Sequence, residues 1–360
     1  MAQVCGNAEG KGAGPKDFDV EVLSSEFPML FSPVLGTANC EPYEIELSDA
    51  TPVRSAPYRC APPKAAVFKG VVNGLLEQGV VRLSTSPYAS PGFLVPKRDG
   101  GFRLVVDYRK VNAKVVFDSY PMPTIDQTLN QFSGASVFSA LELNSAYYQI
   151  PLSERIRRIT AFCALFGLFE FNKLPMGIII RSQGFCRVID ELFADLKGRY
   201  IFNFVVDLVV YSPSVALHSA LLREVLRRLQ ASGFTFNPEK ILLGVSEIKY
   251  LRHQISARGV TVLADRVQAI NQYPRPNNLR SLRRFLGMVG FYAHFIPGFS
   301  ELADILHTLK RKSFPSCGLR NMPRLLRSSS RPSVCWLIIA GHFEKTFQRK
   351  YSRQSSTVSF

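Results

Sequence analysis

VFSALELNSAYYQI, residues 137–150, places a single carboxylate, Glu142, inside a run of apolar and aromatic side chains. FNFVVDLVVYS, residues 202–212, does the same with Asp207. Apolar runs of this length, rich in Val, Phe and Tyr, read as buried strands. A charge inside a buried strand is costly unless it is paired or binds a metal. Two such strands side by side can hold divalent cations between them, as many phosphoryl-transfer sites do. Two ordinary core strands, each with a salt-bridged or strand-end carboxylate, fit the same residues. The two segments alone leave both readings open.

The flanking sequence narrows the choice. TPVRSAPYRCAPPKAAVFKGVVNGLLEQGVVRLSTSPYASPGFLVPKRDGGFRLVVDYRKVN precedes them at residues 51–112. YPMPTIDQTLNQFSGASVFSALELNSAYYQI and TAFCALFGLFEFNKLPMG follow at 120–150 and 160–177, then FVVDLVVYS from Phe204. GFTFNPEK, YLRHQIS and LRSLRRFLGMVGFYAHFIPGFS close the series at 233–240, 250–256 and 279–300. This order of segments resembles the reverse transcriptases of gypsy-type LTR retrotransposons, over about residues 52–312. Seven segments in the family's order and at its spacing make the resemblance specific.

The resemblance implies an α+β, right-hand polymerase fold of fingers, palm and thumb, with an antiparallel palm sheet packed on helices. Fingers and palm would interleave over 60–245, and a helical thumb would follow at 246–312. Residues 18–59 would be the lead-in that the family has between protease and polymerase. The implied activity is RNA-directed DNA polymerisation, a nucleotidyl transfer to a primer 3′-hydroxyl. An RNA template, a DNA primer and deoxynucleoside triphosphates would be the partners, with Mg²⁺ or Mn²⁺ as cofactor.

Several positions depart from the family. Glu142 stands where it has Asp, and Phe204-Val205-Val206-Asp207 replaces a Tyr-x-Asp-Asp tetrad. By resemblance Glu142 and Val206 occupy the two chief metal-ligand positions, and Asp207 the third, less central one. Magnesium demands hard oxygen ligands, and valine offers none. Glutamate's extra methylene would move a metal by roughly an ångström, enough to cost about 100-fold in rate. Ile180-Arg181-Ser182 replaces Asn-Ala-Pro after the Leu-Pro-x-Gly turn, and Leu251-Arg252-His253 replaces Leu-Gly-His. The expectation is a truncated copy that polymerises poorly or not at all. A weakened two-carboxylate site, a domesticated nucleic-acid-binding module and an unselected pseudogene product are the alternatives.

The resemblance assigns further roles. Tyr147 would pack under the nucleotide sugar as a gate, although a core tyrosine fits the same position. Lys97 and Arg103, flanking Asp99-Gly100-Gly101, would grip the triphosphate, Lys as a point charge and Arg as a fork. Arg98 lies at the same tip. Met176 and Gly177, after Pro175, would approach nucleotide and template, glycine permitting close backbone contact. Lys240 would protonate pyrophosphate or stay solvated. Leu251, Arg252 and His253 would form the primer grip. Asp107 and Arg109 read as a structural ion pair on the strand after the hairpin.

Composition sets bounds. The 360 residues, 46% hydrophobic, can bury a full core. No apolar stretch approaches the roughly 18–20 residues of a membrane span. The amino-terminal sequence lacks a signal core, so an intracellular, non-secreted protein is expected. Seven scattered cysteines without a Cys-x-x-Cys pair suggest reduced thiols. The net charge is +16, but residues 310–360 hold eleven basic residues and one acid. The rest carries 33 basic and 27 acidic residues, a modest excess for a template cleft.

Residues 1–17 are Gly-rich, polar and expected to be disordered. PPKAAVFKGVVNGLLEQGVVR, from Pro62, reads as a helix with Gly79 near its end. Phe93–Val95 and Phe102–Val106 read as a hairpin turning at Asp99-Gly100-Gly101. Helical periodicity covers 182–198 and 216–232, and 280–311 reads as a helical pair. The Ser- and Arg-rich stretch 313–360 is expected to be a disordered, out-of-frame tail. A natural basic tail that binds RNA without sequence preference is the alternative.

Overall fold

The protein is described by a computed structural model covering residues 18–97, 100–122, 131–274 and 278–293, with isolated positions at 124–129 and 299–307. Residues 1–17, Arg98, Asp99 and the 313–360 tail lie outside the described residues. The chain divides into two compact units, Met1–Leu251 with Ser256–Gly259, and Arg252–Ile255 with Val260–Phe360.

The first unit opens with α1 (Val20–Glu26), whose first turn is capped by the Asp19 carboxylate accepting from Glu21 N–H. Helix α2 (Pro62–Glu77) starts on two prolines, which suit a first turn that needs no N–H. It ends sooner than its sequence pattern suggests. Gly79 takes a left-handed φ of 66°, and the next residues become strand β1 (Val81–Leu83). The β-branched pair Val80-Val81 is buried, and β1 pairs with a later strand, which fixes it in extended form.

Strands β2 (Ser90–Pro96) and β3 (Phe102–Val106) form the expected hairpin, with Val95 opposite Arg103. Asp107 lies just past β3, and Arg109 begins the short helix α3 (Arg109–Asn112). The two make the ion pair read from sequence, 2.7 Å long, though neither is on a strand. After β4 (Val137–Glu142) come α4 (Glu154–Ile159), β5 (Phe162–Ala164) and β6 (Gly167–Phe171). One sheet has the order β1-β6-β5-β2-β3, with β2 and β5 parallel.

Helix α5 (Arg181–Leu192) is shorter than the 182–198 pattern, because the chain turns after buried Phe193 to enter β7 (Ile201–Phe204). Strand β8 (Asp207–Ser212) follows, then α6 (Val215–Ala231), β9 (Leu242–Val245) and β10 (Glu247–Tyr250). The second sheet, β7-β8-β4-β9, is antiparallel throughout, and α6 packs on β4 and β8. His218 of α6 is fully buried and stitches these strands together. Its Nε2 lies 2.8 Å from Ser139 Oγ on β4 and its Nδ1 3.1 Å from Ser212 Oγ on β8. Ser139 Oγ also accepts from Gly244 N–H on β9. Burial pushes the imidazole down to about 4, so it is neutral at ordinary pH.

Phe18, Leu23, Phe27, Leu30 and Ile45 of the 18–59 stretch belong to the same hydrophobic core as the sheets. Tyr43 lies against α5 where Gly184 leaves no Cβ, its hydroxyl donating to Ile180 C=O at 3.1 Å. Any larger residue at 184 would collide with that ring.

The second unit contains β11 (His253–Ser256), β12 (Gly259–Val262), α7 (Ala264–Asn271) and α8 (Leu279–Gly290). Leu282, Phe285, Leu286 and Val289 recur at helical spacing on α8 and bury against Val262, Val267 and Ile270. Asn278 and Ser281 form a capping box at its start. The second member of the 280–311 helical pair lies mostly outside the described residues.

Candidate active site

Strands β4 and β8 pair from Val137↔Ser212 to Glu142↔Asp207, so both sequence-singled carboxylates stand directly opposite at one end of the sheet. Phe204 also pairs with Asp207, which leaves Val205-Val206 as the two-residue turn of the β7–β8 hairpin. Val205 has a φ of 60°, a conformation that glycine adopts freely and a β-branched residue only under strain. Val206 is partly buried against the core.

Lys240 reaches the same place. The chain after Glu142 bridges back at Leu143↔Phe236, and buried Gln149 binds Thr235 through both ends of its amide. Asn237 N–H then donates to Glu142 C=O, and the Asn237 side chain caps the 3₁₀ turn Pro238–Lys240. That turn sets Lys240 Nζ 2.6 Å from Glu142 Oε1. Asp207 is only 5% exposed. Burial first, and the Glu142 carboxylate second, push it up to about 7, while Lys240 pulls it back.

This donor set does not fit a pair of magnesium ions. Val206 contributes no oxygen, Glu142 is engaged by an ammonium, and Asp207 is largely withdrawn from solvent. Among the described residues no three His, Cys, Asp or Glu side chains gather as a metal group.

A second constellation surrounds the start of α5. Tyr147 is buried, its hydroxyl 3.1 Å from Ser182 Oγ, its ring edge-on to Phe185 and beneath the Arg181 guanidinium at 5.4 Å. Burial raises its pKa. Tyr148 stacks on Phe171, and burial raises it to about 12 against the opposing pull of Arg103. Arg181 is the first residue of α5, where a cation opposes the helix dipole and Ile180 supplies no cap. Met176 packs partly against the core, and Gly177 has a φ of 106°. A Cβ on Gly177 would press on Tyr108 and Val106 C=O at 3.2 Å.

Asn112 fixes this turn, a role that sequence reading missed. Its amide donates to Gly177 C=O at 2.8 Å, and its Oδ1 accepts from Ile179 N–H at 3.1 Å. Its place three residues after Arg109 carries no local signal of a partner 65 residues on. Asn112→Ala is expected to cost about 2 kcal/mol of stability, roughly 1 per lost hydrogen bond, readable by urea denaturation.

The remaining assigned residues lie on or beside the β2–β3 hairpin and at residues 251–253. Lys97 is exposed at the end of β2, and Arg103 lies on β3. Leu251 and Arg252 have consecutive left-handed φ values of 47° and 66°, Arg252 where the resembling family has glycine. Arg252 covers the Phe291 ring at 5.6 Å, and buried His253 stacks on the same ring.

The sequence of residues 95–255 matches the family "Reverse transcriptase (RNA-dependent DNA polymerase)". Residues 95–255 form a reverse transcriptase domain. The chain is 32% identical over 302 residues to the retrovirus-related Pol polyprotein from transposon opus of Drosophila melanogaster, covering 81% of this chain and 30% of that one. It is 30% identical over 300 residues to the transposon Tf2-7 polyprotein of Schizosaccharomyces pombe, covering 82% and 22% respectively. The chain therefore spans less than a third of these relatives. Foamy viral protease–reverse transcriptase has the same fold. Its structure with double-stranded DNA superposes at a TM-score of 0.79 with 23% identity, over 89% of this chain and 56% of that one. Its structure with an RNA/DNA hybrid gives 0.75 with 22% identity, over 90% and 43%. The fold is the right-hand polymerase fold, with the antiparallel sheet β7-β8-β4-β9 of the reverse transcriptase domain packed on helix α6.

Beyond the reverse transcriptase domain, α8 turns Arg280, Arg283, Arg284, Gly287 and Gly290 to solvent, opposite its buried stripe. Sequence reading passed over this face. Its signal was present as three arginines out of phase with the leucines.

Proposed function

We propose that this chain is the polymerase part of a gypsy-type retroelement polyprotein, one that holds a template–primer duplex but extends it poorly or not at all. The register pairing of Glu142 with Asp207 beside Val206 carries the reading. It puts the residues that would coordinate metal at one sheet end and leaves one of them without a donor atom. In an intact member of the family two divalent ions supply the activation of the primer hydroxyl and the stabilisation of leaving pyrophosphate. Here the donor set argues against that chemistry.

The partners in this reading are an RNA template, a DNA primer and deoxynucleoside triphosphates. Lys97 and Arg103 on the fingers hairpin face the triphosphate, Tyr147 lies under its sugar, and the Met176-Gly177 turn approaches the base pair. Leu251, Arg252 and His253 take the primer. The arginine face of α8 is a further basic surface that suits a nucleic-acid backbone, its exposed glycines permitting close approach. Domain limits of 60–245 for fingers and palm and 246–312 for the thumb, and an intracellular location, belong to the same reading. Among the described residues no helix is long and apolar enough to cross a membrane.

The test is binding of a labelled RNA–DNA hybrid in EDTA at several salt concentrations. Affinity should fall steeply with salt, as counterion release requires, and should persist in a chain ending at Lys312. Loss of binding with removal of the tail would place the contact outside the cleft and defeat the reading.

A further inference from the structure

The ammonium of Lys240 is held at Glu142 by more than its own side chain. Asn237, three residues earlier, donates its N–H to the Glu142 carbonyl and caps the turn that carries Lys240. The lysine thus arrives on a segment anchored to the same residue whose carboxylate it meets at 2.6 Å. Glu142 is in turn the register partner of Asp207. Two carboxylates so placed repel each other unless a cation compensates them.

We infer that Lys240 is the built-in cation of this carboxylate pair, neutralising it in place of a divalent ion, so that this end of the sheet keeps its structure without metal. The inference rests on reading the sheet end as the polymerase centre, but its test uses no polymerisation. Lys240 acts here as a positioning residue. The pair is half-exposed on the lysine side, so its competition with a metal is modest, up to about fivefold in affinity.

The measurement is Mn²⁺ titration of the full chain, followed by the paramagnetic resonance signal of the free ion, with thermal melts in EDTA and in millimolar Mn²⁺. The unmodified chain and Lys240→Arg should take up no Mn²⁺ in the micromolar range and should melt alike with and without it. Lys240→Gln should melt earlier in EDTA, recover in Mn²⁺, and bind the ion about fivefold tighter than the unmodified chain. Lys240→Gln with Glu142→Gln removes both charges and should melt near the unmodified chain and ignore Mn²⁺. Micromolar binding by the unmodified chain overturns the inference. So does a Lys240→Gln chain indistinguishable from it. Should Lys240→Gln fail to fold, a double variant that folds supports charge compensation, and one that also fails overturns it. Hybrid binding in EDTA is read separately, so failure of the functional reading stays distinguishable.

Discussion

Val206→Asp combined with Glu142→Asp raises Mg²⁺-dependent primer extension on an RNA template by roughly a thousandfold or more over the unmodified chain. The two changes act at one place. Val206 occupies the β7–β8 turn next to Asp207, and Glu142 faces Asp207 across the β4–β8 ladder. Aspartate at 206 restores an oxygen donor, the larger of the two defects. Aspartate at 142 shortens the carboxylate by one methylene and moves it away from the Lys240 ammonium, which it now meets at 2.6 Å. Val206→Asp alone should therefore recover more activity than Glu142→Asp alone. Single-nucleotide incorporation in a quenched-flow assay distinguishes the three variants. A double variant as inert as the parent would transfer the defect to Arg181 at the start of α5 or to Arg252, and would refute the metal-ligand explanation.

Asp207→Asn makes the protein more stable at pH 8 by on the order of 3 kcal/mol, and leaves it unchanged at pH 4. Asp207 is raised to about 7 in the folded chain by burial and by Glu142, against about 4 when unfolded. A carboxyl with a raised folded pKa contributes its stability below the unfolded value and loses it as pH climbs through the folded one. The loss therefore falls between about pH 4 and pH 7, and asparagine, which cannot ionise, escapes it. His218 works in the opposite sense. Its folded pKa is lowered to about 4, so its contribution is complete above about pH 6.5 and disappears as pH falls toward 4. In the unmodified chain the two opposite slopes nearly cancel between about pH 4 and 6.5, leaving stability level there with a small loss toward pH 7, whereas Asp207→Asn should rise to about pH 6.5 and then stay level. Urea unfolding in metal-free buffers at pH 4, 6 and 8 reads both curves. Equal stability of the two chains at pH 8 would show that the Asp207 carboxylate is not penalised by its burial.

Strand existence around Glu142 and Asp207 was legible because both segments are long, apolar runs. Their register was not, because nothing local in either strand says which residues face each other. The hairpin of β2 and β3 was legible from its glycines. The helix from Pro62 was read too long, since Val80 and Val81 continue an apolar pattern that only the pairing of β1 with β6 turns into a strand. The contribution of Phe18, Leu23 and Phe27 to the main core was hidden in a Pro-punctuated segment with little periodicity. Strands β9 to β12 are four residues each, too short to carry a pattern. Among site residues, the lost donor at Val206 could be read by resemblance alone. The engagement of Glu142 by Lys240 could not, because it depends on a turn anchored through Asn237, close to a hundred residues downstream.

Primer extension by the unmodified chain, purified free of other polymerases and supplied with an RNA template, a DNA primer, all four deoxynucleotides and either Mg²⁺ or Mn²⁺, is the decisive measurement. The expected result is a bound but unextended primer. Sustained incorporation would contradict it, because it would mean that catalytic metal is held at this sheet end without an oxygen at position 206.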